Sequence, residues 1–330
     1  MRSLLADLER WPLREPFVIS RRVFVDSLAL TVQIREGDLA GRGECEPHEH
    51  EQIIGLEAHA QLLRLACDRD WLATLSTDNI LDRLPNQPLR NALDCALWDL
   101  AAKRSGQRVW DLLDLGQGNP PVAIVPTVGL ASPQDMAQAA SALRGAKALK
   151  IKLGGSDGAD AMRLEAIAAA APGVELLADI NGGWTPRQLR ELLPLARRCG
   201  VSVIEQPLPP GQDAELPQPP TGLRFCADES CTDRSSLPLV AQHYQMINVK
   251  LDKTGGLTEA LALVDAATVL GLPYMVGSNG GTSLAMAPLY VLAHGAALVD
   301  AGAGHLTVDR EPMLRVERNH IYAPARTLWG

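Results

Sequence analysis

The sequence of 330 residues predicts an α/β protein, a (β/α)8-type, TIM-like barrel with an N-terminal α+β capping domain. Three observations carry that prediction. From about Val122 onward, eight short apolar runs alternate with Ala- and Leu-rich stretches of helical spacing. The first third of the chain lacks this rhythm. Five consecutive apolar runs also end in charged residues, which is where barrels of this kind place their catalytic groups.

In the first third, "SLALTVQIREGDLAGRGEC" (27–45) reads as two strands around the turn-forming "REGD", a hairpin. Residues 52–75 and 87–104 carry helical periodicity, with Leu89, Ala92, Leu93, Ala96, Leu97 and Leu100 falling on one face. Gly and Pro in "WDLLDLGQGNPP" (110–121) mark a boundary. The expected division is a cap over 1–115, a barrel over 116–310 and a C-terminal segment, 311–330, that returns to the cap. The eight barrel strands are expected in "AIVPTVG", "ALKIKLG", "VELLADI", "VSVIEQP", "LRFCADES", "QMINVKL", "PYMVG" and "ALVDA".

Composition narrows the function. A hydrophobic fraction of 46% and a charged fraction of 21% fit a folded globular chain and exclude disordered or fibrous classes. A net charge of −8 without clustered Lys or Arg excludes a general nucleic-acid binder. The six cysteines form no CxxC pair, so they read as reduced thiols rather than a disulfide or zinc framework. The N-terminal stretch carries acids and prolines where a secretory signal needs an apolar run, and no run reaches membrane-spanning length. A cytoplasmic protein is the expectation.

"KALKIKLGG" (147–155) then poses a chemical question. Alternation puts Leu149, Ile151 and Leu153 on one face and Lys150 and Lys152 on the other. A Lys-x-Lys strand is ordinarily a solvated sheet edge, but here it precedes three strands that also end in charge. The ends carry Lys150 and Lys152, then Asp179 and Asn181, Glu205, Asp228 and Glu229, and finally Lys250. Three carboxylates from neighbouring strands need a cation, and hard oxygen donors without Cys or His favour Mg²⁺. A metal on the substrate carboxylate would stabilise an enediolate, and a lysine whose pKa is lowered by its neighbours could take the α-proton. Lys152 and Lys250 fall on opposite sides of the barrel mouth, an arrangement suited to a racemase or epimerase.

These segments resemble the enolase superfamily in its muconate lactonizing subgroup, and within it the dipeptide epimerases. The similarity runs over nearly the whole chain, through "GRGECEPHEHE", "LRNALDCALWDLAAKRSGQRVWDLLDLG", "KIK", "ADINGGW", "IEQPLPP", "ADES", "INVKLDKTGGLTEA" and "MVGSNGGTSLAMAP". "LREPFVISRR" is similar to the family's first lid loop, placed near 18–26, and the second lid falls near 44–52. The resemblance implies Asp179, Glu205 and Asp228 as Mg²⁺ ligands, with Asn181 and Glu229 supporting them. It implies Lys152 and Lys250 as the acid/base pair, a role for Lys150 against the substrate carboxylate, and Lys253 as a decoy. Asp300, Ser278, Arg21 and Arg22 are the further candidate substrate contacts.

Two departures stand out. Dipeptide epimerases usually carry Asp-x-Asp after strand eight to hold the α-ammonium; here Asp300 is followed by Gly302 where the second acid would be. The second lid is acidic and His-rich, so Glu46 or Glu49 is a candidate partner for a cationic group, while His48 and His50 read as a solvated lid rather than a second metal site. The expected function is a Mg²⁺-dependent epimerase acting on the α-carbon of a small carboxylate substrate, a dipeptide or N-substituted amino acid. A cycloisomerase or dehydratase is the alternative, and a non-catalytic barrel the remote one. A homo-oligomer is allowed, with no feature fixing its size.

Overall fold

The computed structural model describes residues 1–20, 22–47, 51–85, 88–116, 120–302 and 305–330. The chain opens with a three-stranded antiparallel sheet of β1 (Arg2–Ile19), β2 (Arg22–Glu36) and β3 (Leu39–Cys45), in that spatial order. β2 and β3 form the hairpin expected around "REGD". Leu30, Val32 and Ile34 of β2 alternate onto one buried face, which packs with Leu89, Leu93, Ala96 and Leu100 of the helix Pro88–Ser105. Periods of two and 3.6 residues thus meet in one apolar layer.

β1 was not anticipated. Its 18 residues include Pro12 and Pro16, and its pairing with β2 shifts register between Pro12 and Phe17. Proline is tolerated on an edge strand and at an irregularity, because no central ladder depends on its missing N–H. The segment near 18–26, expected as a loop, is mostly the tip of this two-stranded ribbon, paired from Phe17↔Phe24 to Ile19↔Arg22.

After the short β4 (Val122–Ala123), eight parallel strands follow in sequence order: β5 (Thr127–Val128), β6 (Ala148–Lys152), β7 (Glu175–Asp179), β8 (Val201–Glu205), β9 (Arg224–Ala227), β10 (Met246–Val249), β11 (Tyr274–Gly277) and β12 (Leu298–Asp300). Each lies within a run expected to form it. A backbone hydrogen bond from Val125 N to Val299 O, 2.8 Å long, links the two ends of the sheet and brings the barrel close to closure.

Alternation then sorts every strand into two environments. Leu149, Ile151 and Leu153 point outward into the core shared with the surrounding helices. Inward, Val125, Ala148, Leu177, Val203, Cys226, Met246 and Met275 fill the lower barrel with a separate apolar cluster. Two residues further along several of these strands the same inward face becomes polar: Thr127, Lys150, Asp179, Glu205, Asp228 and Asn248. The apolar plug forms a floor, and the charges stand on it.

The C-terminal strands β13 (Val316–Glu317) and β14 (His320–Ile321) form an antiparallel pair, β14 pairs in turn with β4, and the chain finishes against the helix Pro88–Ser105. Trp329 is fully buried and donates Nε1–H to Cys95 O at 2.9 Å, while Gly330 N donates to Asp99 Oδ1 at 2.8 Å. Trp329→Ala is expected to lower unfolding free energy by about 3–5 kcal/mol, read as a reduced urea midpoint at unchanged slope. No described helix is long and apolar enough to cross a membrane.

Candidate active site

The inward-facing polar residues converge at the C-terminal ends of β6 to β12. Register aligns them: Lys152 is the Cα partner of Asp179, and Asp179 of Glu205. Lys150, Lys152 and Lys250 line one cavity with Asn181, Ser278 and Asp300. β6 and β10 are four strands apart in the eight-stranded order, so Lys152 and Lys250 approach the cavity from opposite sides.

Within this ring the lysines neutralise the acids. Lys150 Nζ lies 2.9 Å from Asp179 Oδ2, 2.8 Å from Glu205 Oε2 and 2.8 Å from Asp300 Oδ2. Lys152 Nζ reaches Asp179 Oδ2 at 2.6 Å and donates to Asn181 Oδ1 at 3.0 Å. Lys250 Nζ is 2.7 Å from Asp228 Oδ2. Lys253 pairs with Asp228 Oδ1 at 2.6 Å and donates to Asn248 O at 2.8 Å. It does not line the cavity, whereas Lys250 does.

These charges move the proton affinities in opposite directions. Burial pushes the Asp179 carboxyl up, but Lys150 and Lys152 outweigh it and hold it at about 2. Burial likewise raises Asp228, yet Lys250 and Lys253 bring it well below the ordinary carboxylate range. Glu205 goes the other way, to about 7, through burial and the adjacent negative Asp179. Burial pulls the Lys250 amine down, but Asp228 outweighs it and the net direction is upward. Paired to Asp228, Lys250 is held as the ammonium, the form that delivers a proton.

The donor set suits a hard divalent cation. Glu205 Oε2 is buried and accepts no hydrogen bond from the described residues, although Lys150 Nζ stands close to it. That ammonium acts as a stand-in cation between Asp179 and Glu205, and no three acids among the described residues converge on a single point. Asp179, Glu205 and Asp228 offer carboxylate oxygens from three successive strand ends, the chemistry Mg²⁺ prefers.

Asn181 and Glu229 are joined by an Nδ2–H···Oε1 hydrogen bond of 3.2 Å, and the Asn181 backbone N donates to Asp179 Oδ1 at 3.0 Å. Asn248, which was not singled out from sequence, donates Nδ2–H to Glu205 Oε1 at 2.8 Å. Its signal was available: it lies two residues before Lys250 and shares its inward face. Gly277 makes room for it, since a β-carbon there would come within 2.7 Å of Asn248 Oδ1. Ser278 accepts a hydrogen bond of 3.1 Å from Gly302 N.

Of the two arginine candidates, only Arg22 lies among the described residues. Arg22 is exposed, stacks 4.9 Å above the Phe24 ring and does not line the cavity. Arg21, His48, Glu49, His50 and most of the second lid's tip lie outside the described residues. The described lid residues that do line the cavity are Phe17, Ile19, Phe24, Asp26 and Glu46.

Comparison with known proteins gives a consistent result. Residues 2–114 match the mandelate racemase/muconate lactonizing enzyme N-terminal domain, and residues 134–327 match the enolase C-terminal domain-like family. The chain is 37% identical over 325 residues to an L-Ala-D/L-Glu epimerase of Escherichia coli, covering 98% of this chain and 100% of the relative. It is 34% identical to an N-acetyl-D-glutamate racemase of a Pseudoalteromonas species, covering 91% of this chain and 95% of that one. A solved enolase family member from Agrobacterium tumefaciens, with homology to dipeptide epimerases and with bound sodium and L-Ala-L-Glu, superposes with a TM-score of 0.92 at 39% identity over 100% of both chains.

Proposed function

The chain belongs to the mandelate racemase/muconate lactonizing enzyme family of enolase-like proteins, and on that premise we propose that it is a Mg²⁺-dependent epimerase. It removes and returns the proton on the α-carbon of a carboxylate substrate, a dipeptide or N-substituted amino acid. The observation that carries this reading is the pair Lys152 and Lys250, set on strands four apart and lining one cavity across a ring of acids.

Asp179, Glu205 and Asp228 would hold the metal. When bound, Mg²⁺ supplies a Lewis acid to the substrate carboxylate and takes up the negative charge of the three acids. Lys150, held firmly as an ammonium because Asp179, Asp300 and Glu205 outweigh the opposing effect of burial, adds fixed positive charge where charge develops on that carboxylate. One lysine, as the neutral amine, takes the α-proton from one face; the other, as the ammonium, delivers a proton to the opposite face. Lys250 paired with Asp228 is in the donor state. Asn181 and Asn248 hold Lys152 and Glu205 in place from behind. Phe17, 5.8 Å from Lys152 Nζ, Ile19 and Phe24 form an apolar roof that limits water at the transfer site.

Free thiols throughout, four of them buried, support work in a reducing compartment such as the cytoplasm. The reading is tested by proton NMR in D₂O on L-Ala-L-Glu and related dipeptides and on N-acetyl amino acids, with Mg²⁺ and with EDTA. Deuterium gain at the α-carbon beside the free carboxylate, with appearance of the epimer only when Mg²⁺ is present, is the expected result. Loss of water or ring formation from a wider acid library instead would move the assignment to a lyase or cycloisomerase.

A further inference from the structure

Glu205 is followed by Gln206, a residue the proton transfer does not use, fully buried and held at φ +37°. Left-handed backbone is uncommon for a residue with a β-carbon and persists where the surroundings over-determine it. Here the surroundings are the two neighbouring strand ends. Toward β7, the Gln206 carbonyl accepts from Gly182 N at 2.7 Å, flanked by the bonds from Ile180 N to Glu205 O at 3.0 Å and from Trp184 N to Pro207 O at 3.2 Å. Toward β9, its backbone N donates to Cys226 O at 2.9 Å, and its side-chain Oε1 accepts from Asp228 N and from Ser230 N, both at 3.0 Å. One residue thus adjoins Glu205, accepts from the backbone of Asp228 and grips the loop that continues from Asp179.

The donor half of the same amide faces away from the acids. Nε2 donates to Leu208 O at 2.9 Å, Ser230 Oγ at 2.8 Å and Tyr244 Oη at 3.2 Å. Ser230 Oγ and Tyr244 Oη each donate onward to the buried Asp213 Oδ1 at 2.6 Å, and Asp213 Oδ2 accepts from Gly211 N at 3.0 Å. This outer network fixes the direction of the amide. A carbonyl such as Leu208 O can only accept, so the NH₂ end must face it and Oε1 is left for the two N–H groups of the β9 end. No polar atom of Gln206 is left without a partner.

We propose that Gln206 is a positioning residue that sets the spacing of the Asp179, Glu205 and Asp228 carboxylates, and with it the preference of the site for an ion the size of Mg²⁺. The inference rests on the metal-dependent epimerase reading and deepens it. Mg²⁺ demands short, near-ideal contacts, whereas Ca²⁺ accepts longer ones in variable number. Three strand ends clamped to one residue cannot spread independently, which favours the smaller ion. Releasing the clamp removes that advantage and leaves the charge of the acids unchanged, so the smaller ion bears most of the loss. Asp228 depends on it most directly, because its own N–H has Gln206 Oε1 as acceptor.

The test titrates the metal-stripped, substrate-free full-length protein with Mg²⁺ and with Ca²⁺ in a calorimeter, beside thermal melts of the same samples. Gln206→Met keeps the unbranched side chain and removes the acceptor; Gln206→Gly also relieves the left-handed turn, and keeps the test available where the methionine variant does not fold. Both should raise the Mg²⁺ dissociation constant by about tenfold or more, the scale for losing a partner behind a metal ligand, and the Ca²⁺ constant by less than about threefold. Tyr244→Phe, which removes a partner of Nε2 alone, should lower the melting temperature and leave both constants within about twofold of wild type. A merely structural role would make metal affinity follow melting temperature. Equal weakening for both ions, weakening in Tyr244→Phe to match Gln206→Met, or unchanged Mg²⁺ affinity in the Gln206 variants therefore overturns the role of Gln206 and leaves the epimerase reading intact. Ion selectivity that depends on Gln206 in a protein that exchanges no α-proton leaves Gln206 standing and overturns the epimerase. A wild type that binds no Mg²⁺ overturns both.

Discussion

Replacing either lysine of the facing pair is expected to abolish epimerisation while leaving a one-sided exchange. Lys152→Ala should lose exchange of the α-proton of one epimer and Lys250→Ala that of the other, each by about 10³-fold or more, the scale of a positioned general base or acid. The asymmetry follows from placement on β6 and β10, across the barrel from each other. Each lysine reaches one face of a planar carbon. A merely structural role predicts equal loss for both epimers, so separate measurements with each pure epimer in D₂O distinguish the two. Lys253→Met should not show this pattern, because its ammonium is committed to Asp228 and Asn248 O behind the site.

The second large effect separates metal affinity from stability. Glu205→Gln is expected to remove the stabilisation that Mg²⁺ gives the wild type and to lower turnover by about 10³-fold, on the scale of lost electrostatic stabilisation of a transition state. In the metal-free protein it should instead stabilise. The Glu205 carboxyl is raised to about 7 from 4.5, so the folded chain holds a proton there that the unfolded chain has released. The metal-free wild type therefore loses stability from this group as pH rises between about 4.5 and 7. Gln carries no such cost, and the variant should exceed the metal-free wild type at pH 8 by on the order of 1–3 kcal/mol while matching it near pH 4.5.

Asp228→Asn should behave in the opposite way. It strands the Lys250 and Lys253 ammonium groups without their shared partner, for a loss of about 3–5 kcal/mol. Asp228 is depressed, so its stabilising contribution is present above pH 3.8 and fades only as pH falls below it. Thermal melts of both variants with EDTA at pH 5 and pH 8 read these signs directly. Proton competition at Glu205 also predicts that Mg²⁺ binds more weakly below about pH 7 and reaches a plateau above it.

The barrel was legible because its strands are buried on both faces and read as short apolar runs between turns. Its polar mouth was legible because the periodicity of two continues past the apolar floor, from Leu177 to Asp179, from Val203 to Glu205 and from Cys226 to Asp228. Asn248 obeys the same rule and was passed over, since an amide in an apolar strand attracts less notice than a charge. β1 was illegible for a physical reason: an edge strand with two prolines and solvent on one side has little hydrophobic alternation to show. Glu46 was legible as a charge and not as a location. Its position depends on the docking of β3 against the loop after β11, a contact between residues more than 230 positions apart.

The most direct test of the two-lysine account is the origin of the α-hydrogen in product formed during the first turnovers in D₂O. Starting from either pure protiated epimer with Mg²⁺, the account predicts product epimer carrying deuterium at the α-carbon, because the base that takes the proton is not the acid that returns one. Product that retains the original proton in both directions would mean that one group shuttles it across a single face, and would contradict the assignment of Lys152 and Lys250.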